Sequence, residues 1–300
     1  MIFGFYLFLI GASFGSFINV VSLRFKPEQK LFDPKIIGGR SHCPNCHKIL
    51  SWYELIPVLS FLIQLGKCRN CKKRISFQYP IVEILAGLIV AVIPWYLKKY
   101  QFLFFDPISY VGQSVINYQL LIAVIWIAIF LLFLLISIID FREMIIPDSL
   151  NFSLGFLGLI LALTWFFYVK FDHSASPFLK YYAQIFGFRE NILLNYAIAV
   201  LSGMVVFGLI IILSRGRAMG WGDFKLVGAL GLIFGWPEII VVLILSFIVG
   251  ALFGISLLIK RRKKMGDMIP FGPFLVIGSA LTFFFGYQIV DFYFKVFKIY

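Results

Sequence analysis

Two sets of side chains in this sequence have the types and spacing for chemistry. Cys43, Cys46, Cys68 and Cys71 form two CxxC pairs, in SHCPNC and GKCRNC, with 21 residues between them. Each pair can supply two thiolates to one tetrahedral ion from a tight turn, the arrangement of a structural zinc site. His42 and His47 flank the first pair and could replace a thiolate, although beside four complete thiolates a histidine is more often simply polar. The second set is acidic. Of the 14 Asp and Glu residues, five gather in three short stretches: Asp140, Glu143 and Asp148 in IIDFREMIIPDSL, Asp223 in GWGDFK, and Asp267 in KKMGDMIP. Two aspartates close enough to share a proton can activate water against a peptide carbonyl, one ionised and the other protonated. Such a pair titrates as a unit.

Asp140 and Asp223 are the strongest members of this set. Asp140 follows 33 uncharged residues, Pro107 to Ile139, and Asp223 immediately precedes another apolar run. Charged groups beside membrane spans are costly and commonly functional. Gly220 and Gly222 leave room for close backbone approach next to Asp223. A structural reading competes at each position: Asp140 could pair with Arg142 and Asp223 with Lys225. Asp148 follows Pro147 at a helix start and is placed to cap it. Glu143 and Asp267 read as rim charges beside Arg142 and Lys264.

The elements that must position these groups are membrane helices. The chain is 61% hydrophobic and 14% charged, with 36 Phe among 300 residues, a composition foreign to soluble domains. About 20 apolar residues cross a hydrocarbon core of roughly 30 Å. Clear spans are Met1 to Leu23, Gln119 to Ile139, Ser149 to Val169, Asn191 to Ser214, Ile239 to Ile259 and Met268 to Val290. Two shorter runs, Ile81 to Leu97 and Phe224 to Gly235, bring the expected total to eight. The first run lacks a preceding basic residue and a small-residue cleavage site, so it reads as a retained helix rather than a signal peptide.

Placing segments 24–80, 140–148, 214–225 and 260–267 on one side gives that side 20 of the 27 basic residues, which makes it cytoplasmic and leaves both termini outside. The net charge of +13 then reports topology and contact with anionic lipid rather than nucleic-acid binding. A cytoplasmic cysteine loop favours a metal over two disulfides, and a metal clip would let so short a loop hold a fold. The expected architecture is an all-α polytopic membrane protein of two domains. Residues 1–105 carry the four-cysteine loop (24–80), and residues 106–300 form a six-helix unit with the inner-rim acids. The outer loop from Lys170 to Glu190 is the long connection of the second half. No internal repeat of the transporter kind is visible.

Several stretches together resemble the bifunctional prepilin leader peptidases, the type IV prepilin peptidase and N-methyltransferase family of GxGD intramembrane aspartic proteases. IIDFREMIIPD is similar to the first catalytic motif and GWGDFK to the second, GxGD, motif. IPFGPFL (Ile269 to Leu275) is similar to the opening of the last span. GSFINVVSLR (Gly15 to Arg24), the CxxC pairs, WYELIPVLSF (Trp52 to Phe61) and RISFQYPIVE (Arg74 to Glu83) resemble the N-terminal domain associated with methylation. Gln78 departs from the basic residue expected before Tyr-Pro, and the link between the catalytic motifs is longer.

The resemblance implies a catalytic pair of Asp140 and Asp223, with Asp148, Gly220, Gly222 and Lys225 in support. It implies a pilin or pseudopilin precursor as substrate, cut after a glycine at the cytoplasmic face of the bacterial inner membrane. The new N-terminal residue would then be methylated from S-adenosylmethionine. Asn19, Arg24 and Glu54 are the candidates on the methyltransferase side, since no glycine-rich nucleotide fingerprint marks the donor site. Two other classes remain on sequence grounds: an ion-coupled transporter using the inner-rim acids, and a non-enzymatic membrane assembly component with a metal-clipped docking loop.

Overall fold

A computed structural model describes residues 2–29, 31, 33–99, 113–168, 178–179, 182–183, 191–261 and 268–298. Among these residues the protein is helical, without a named strand. Its helices are α1 (Ile2–Arg24), α2 (Pro34–Ile37), α3 (Leu59–Ile63), α4 (Gln78–Lys99), α5 (Gln113–Glu143), α6 (Asp148–Tyr168), α7 (Ile192–Ser214), α8 (Trp221–Phe234), α9 (Glu238–Ile259) and α10 (Gly272–Val296). The chain divides into two compact units, Met1–Leu135 and Ile136–Tyr300, and the division falls inside α5. Asp267 lies outside the described residues, as does most of the loop from Lys170 to Glu190.

Six helices among the described residues are long and apolar enough to cross a membrane: α1, α4, the Leu120–Glu143 part of α5, α7, α9 and α10. The marginal run Ile81 to Leu97 thus lies in a full-length helix. Six of the eight expected crossings are thus found among the described residues. The apolar Asp148–Thr164 stretch of α6 is counted among the shorter helices. The run Phe224 to Gly235 falls in α8, whose 14 residues rise only about 21 Å, too little to cross the core alone.

In the first unit, α1 and α4 pack through small residues. A Cβ added at Gly15 would lie 2.6 Å from Glu83 Cα, and one at Gly87 would lie 2.6 Å from the Phe8 ring. Close backbone approach at small residues is how helices associate where the solvent is itself apolar.

In the second unit α8 is the central element. Gly158 of α6 abuts Leu232, Gly231 abuts Val200 of α7, and Gly203 of α7 abuts Val227. From Leu226 to Phe234 its sequence is apolar on every side, as befits a helix enclosed by others. An enclosed helix that stops short must satisfy its terminal backbone without water. Asn195 does so: its Nδ2 donates to Trp236 O (2.7 Å), and its Oδ1 accepts from Trp236 N (3.1 Å). The turn passes through Gly235 at φ 75°, a conformation that favours glycine.

Helices α9 and α10 meet where Gly278 faces Ser246 and lies close to Val242 O. Gly278→Leu should therefore separate them and destabilise the second unit by about 1–3 kcal/mol. Gly155→Leu, where nothing lies within 4 Å of an added Cβ, should leave the thermal midpoint in detergent nearly unchanged.

Candidate active site and metal centre

The second unit brings Asp140 and Asp223 into one buried site. Asp140 ends the apolar run of α5 and is 4% exposed; Asp223 lies in the first turn of α8 and is 9% exposed. Ile146 links the two, lying against Gly222, next to Asp223, and against Gly272, which abuts the Asp140 carboxylate. One Asp140 oxygen, Oδ2, accepts the backbone N–H of Gly272 at 3.0 Å. Asp223 Oδ2 accepts the N–H of Gly220 at 3.3 Å, while its Oδ1 is buried without a hydrogen-bond partner among the described residues. A buried carboxylate oxygen left unpaired is costly in a purely structural role.

The structural ion pairs considered from sequence are not what these two aspartates make. Arg142 pairs with Glu143 at 3.6 Å, and Lys225 Nζ pairs with Asp148 Oδ1 at 2.8 Å. Asp148 opens α6 and its side chain is 74% exposed. The Lys225–Asp148 bridge joins the starts of α6 and α8 and, being exposed, contributes on the order of 0.2–1 kcal/mol.

The two glycines of the GxGD stretch differ. Gly220 has an ordinary extended backbone (φ −87°, ψ 156°), and an added Cβ would come only to 3.6 Å of Asp223 Oδ2. Gly222 is tightly placed: a Cβ there would lie 3.2 Å from Ile146 Cβ. Its carbonyl accepts from Asn151 Nδ2 at 3.3 Å.

Three residues that sequence reasoning did not single out complete the site. Gly272 donates to Asp140, and a Cβ there would stand 2.7 Å from Asp140 Oδ2 and 3.1 Å from Ile146 Cδ1. Ile146 is thus the shared wall of Gly222 and Gly272. Asn151 ties α6 to the α8 start. The signal available for Gly272 was its place before proline in IPFGPFL, since proline in the first turn fixes where α10 begins. Preceding it, Phe271 packs its ring against Phe247 at 5.2 Å and Phe207 at 5.9 Å, anchoring the turn that presents the Gly272 N–H.

In the first unit, the four cysteine sulfurs all lie within 4.8 Å of one another. Cys43 and Cys71 Sγ are 3.9 Å apart, and Cys46 and Cys68 Sγ are 4.0 Å apart. A tetrahedron with Zn–S of about 2.3 Å has edges of about 3.8 Å, whereas a disulfide bond is about 2.05 Å. The sulfurs therefore fit a metal and are unbonded to each other.

The two knuckles repeat one backbone pattern. Cys43 N donates to Lys48 O and His47 N to Cys43 O; Cys68 N donates to Lys73 O and Lys72 N to Cys68 O. His47 (φ 54°) and Lys72 (φ 58°) take the same left-handed turn position. His42 and His47 lie outside the sulfur cluster. The Lys48 amide and the Asn70 side chain hold the Cys46 thiol down at about 6, and the backbone amides of Cys71 and Asn70 lower Cys68. At Cys71 the Lys73 amide pulls downward, yet burial and the neighbouring sulfurs push it up to about 11. Four clustered sulfurs cannot all ionise cheaply without a cation among them.

The residues considered for methyl transfer are engaged internally. Asn19 is fully buried and donates to Tyr79 O at 3.2 Å, with Gln78 Nε2 3.5 Å from its Oδ1. Arg24 donates to the backbone carbonyls of Ile36, Gly38 and Arg40. Glu54 accepts from Ser51 N at 2.9 Å. Glu83, in the first turns of α4, is a buried carboxylate that accepts from Val58 N at 2.7 Å and bonds Ser16.

Comparison with known proteins bears on both units. Residues 9–97 match the Bacterial Peptidase A24 N-terminal domain, and residues 126–255 match the Type IV leader peptidase family. A prepilin leader peptidase/N-methyltransferase of Aeromonas hydrophila is 30% identical, the match covering 96% of this chain and 92% of that protein.

This chain belongs to the type IV leader peptidase family.

The like-named protein of Pseudomonas aeruginosa is 30% identical over 95% of this chain and 91% of its own length. That of Bacillus subtilis is 28% identical over 97% of each. No solved structure matches the chain. The matched family regions include Asp140, Asp148 and Asp223 in one and all four cysteines in the other.

Gly272→Ala should force the Asp140 carboxylate off its N–H donor and lower stability by about 1–3 kcal/mol. Gly220→Ala, with space for its Cβ, should cost clearly less; thermal unfolding of both variants in detergent measures the difference.

Proposed function

We propose that this protein is a bacterial inner-membrane prepilin leader peptidase and N-methyltransferase, with Asp140 and Asp223 as its catalytic pair. The observation that carries the reading is the buried Asp140–Asp223 site, in which Asp223 Oδ1 has no partner among the described residues. Burial of interacting carboxylates favours one shared proton over two charges.

In this mechanism the ionised aspartate takes a proton from water as its oxygen attacks the scissile glycine carbonyl. The protonated aspartate gives its proton to that carbonyl oxygen. Collapse of the tetrahedral intermediate breaks the C–N bond, and a proton passes to the departing amine. Gly272 and Gly220 N–H groups hold one oxygen of each aspartate, so the remaining oxygens face the chemistry. Lys225 and Asp148 keep the starts of α8 and α6 in register at the rim. The substrate class is a pilin or pseudopilin precursor with a short basic leader and an apolar helix, drawn from the bilayer at the cytoplasmic face. The basic bias of segments 24–80 and 214–225 supports that orientation.

The cysteine cluster fits a structural zinc ion held by Cys43, Cys46, Cys68 and Cys71, which would clip the two knuckles together. Methyl transfer belongs to the first unit in this reading, with S-adenosylmethionine supplying the methyl group to the new N-terminal amine. Asn19, Arg24 and Glu54 act there as positioning residues, each fixing a turn or helix end.

Asp140→Asn and Asp223→Asn should each reduce leader cleavage in membranes by about 10²–10⁴-fold, read as conversion of a pilin precursor to its shorter form. Cleavage surviving at the unaltered rate in either variant would refute the catalytic assignment. The purified chain should carry about one zinc per molecule, and Cys46→Ser should lower that content. The four sulfurs bind as thiolates, so protons compete with the metal for them as pH falls. Chelator should accordingly strip metal faster at about pH 5 than at about pH 7.5.

A further inference from the structure

The loop between α1 and α4 exposes apolar side chains that its own fold does not use. Helix α3 buries none of its residues. Leu59, Leu62 and Ile63, spaced three and four apart, share one helical face and are all exposed. Leu65 follows at 84% exposure with a left-handed backbone (φ 51°), a strained conformation for leucine. Val58, at the other end of α3, also has a positive φ (62°). Two strained non-glycine residues therefore bracket a helix whose apolar face points outward.

This orientation is held from α4. Glu83 fixes Val58 by accepting its N–H. Phe61 of α3 meets the Phe77 ring at 5.5 Å, and Phe77, itself 72% exposed, immediately precedes α4. Beyond it, the exposed stripe Ile81, Ile84, Leu85 and Leu88 runs along α4, one of the six helices apolar enough to cross a membrane. The Phe61–Phe77 contact thus joins α3 to the start of that exposed stripe. Its flank is basic: Lys67, Arg69, Lys72, Lys73 and Arg74 lie between Leu65 and Phe77, with no acidic residue among them. Apolar residues beside a cationic flank are the signature of a segment lying in the interface of an anionic bilayer.

We propose that the α3 segment, Leu59 to Leu65 with Phe77, is a membrane foot that inserts into the headgroup–acyl boundary beside α4, with the second cysteine knuckle resting its basic side on anionic headgroups. The foot sets the height of the metal-clipped loop relative to the bilayer. It does not depend on which reaction the protein catalyses.

The test uses the full chain in nanodiscs of phosphatidylcholine and phosphatidylglycerol, with a phospholipid carrying a diazirine near the top of one acyl chain. Photolysis and peptide mapping should find lipid adducts on residues 59–65 and 77 as well as on α4. Leu62→Glu with Ile63→Glu should lower the yield on 59–65 by about tenfold and leave α4 labelling unchanged. Leu65→Gly, which suits the left-handed backbone and so preserves the fold, should lower it in the same direction. Replacing phosphatidylglycerol by phosphatidylcholine should weaken it further. Labelling of α4 without labelling of 59–65 would overturn the proposal. Loss of the 59–65 adducts on adding excess pilin precursor, with α4 still labelled, would also overturn it by assigning the face to a protein substrate.

Discussion

The second unit depends on one contact: a carboxylate oxygen of Asp140 against the backbone N–H of Gly272. A charged group at the end of an apolar helix needs donors that do not depend on water, and a backbone amide is the most compact donor available. It can reach Asp140 only because residue 272 has no side chain. Proline at 273 fixes the start of α10, and the ring of Phe271 is held between Phe207 and Phe247. The position of the acid is therefore set by an aromatic anchor, a helix start and a missing Cβ, which come from the far end of the sequence.

Helix α8 shows a second constraint. It carries Asp223 at one end and ends against Asn195 at the other, enclosed by α6 and α7. A full-length span would set its first turn by bilayer thickness. A short enclosed helix has its first turn set by its neighbours, through Gly158, Gly203 and Gly231. The carboxylate at its start is thereby located by packing, with a precision suited to chemistry.

Composition and periodicity made the membrane class and the long helices legible, because burial in lipid leaves an apolar record about 20 residues long. Cysteine spacing likewise revealed the four-sulfur cluster. The run Phe224 to Gly235 stood apart in the sequence by its shortness alone, since an enclosed helix such as α8 is nearly as apolar as a span. Asp140 and Asp223 were conspicuous as charges in apolar surroundings. Gly272 and Ile146 were not, since a glycine and an isoleucine in such a chain carry no compositional signal; their roles arise from who their neighbours are. The partner of Glu83 was hidden for a related reason, because it is the main chain of Val58 and a backbone amide leaves no mark in sequence.

Ile146 fills the space that side chains at 222 and 272 would occupy, so three positions widely separated in the chain share one small volume. Bulk added at either glycine has to be removed at Ile146, and a smaller residue at 146 loosens both glycine contacts together. Substitutions at the three would be non-additive, and viable sequences of this architecture would change them as a set, with total side-chain volume rather than any single residue as the quantity that is kept.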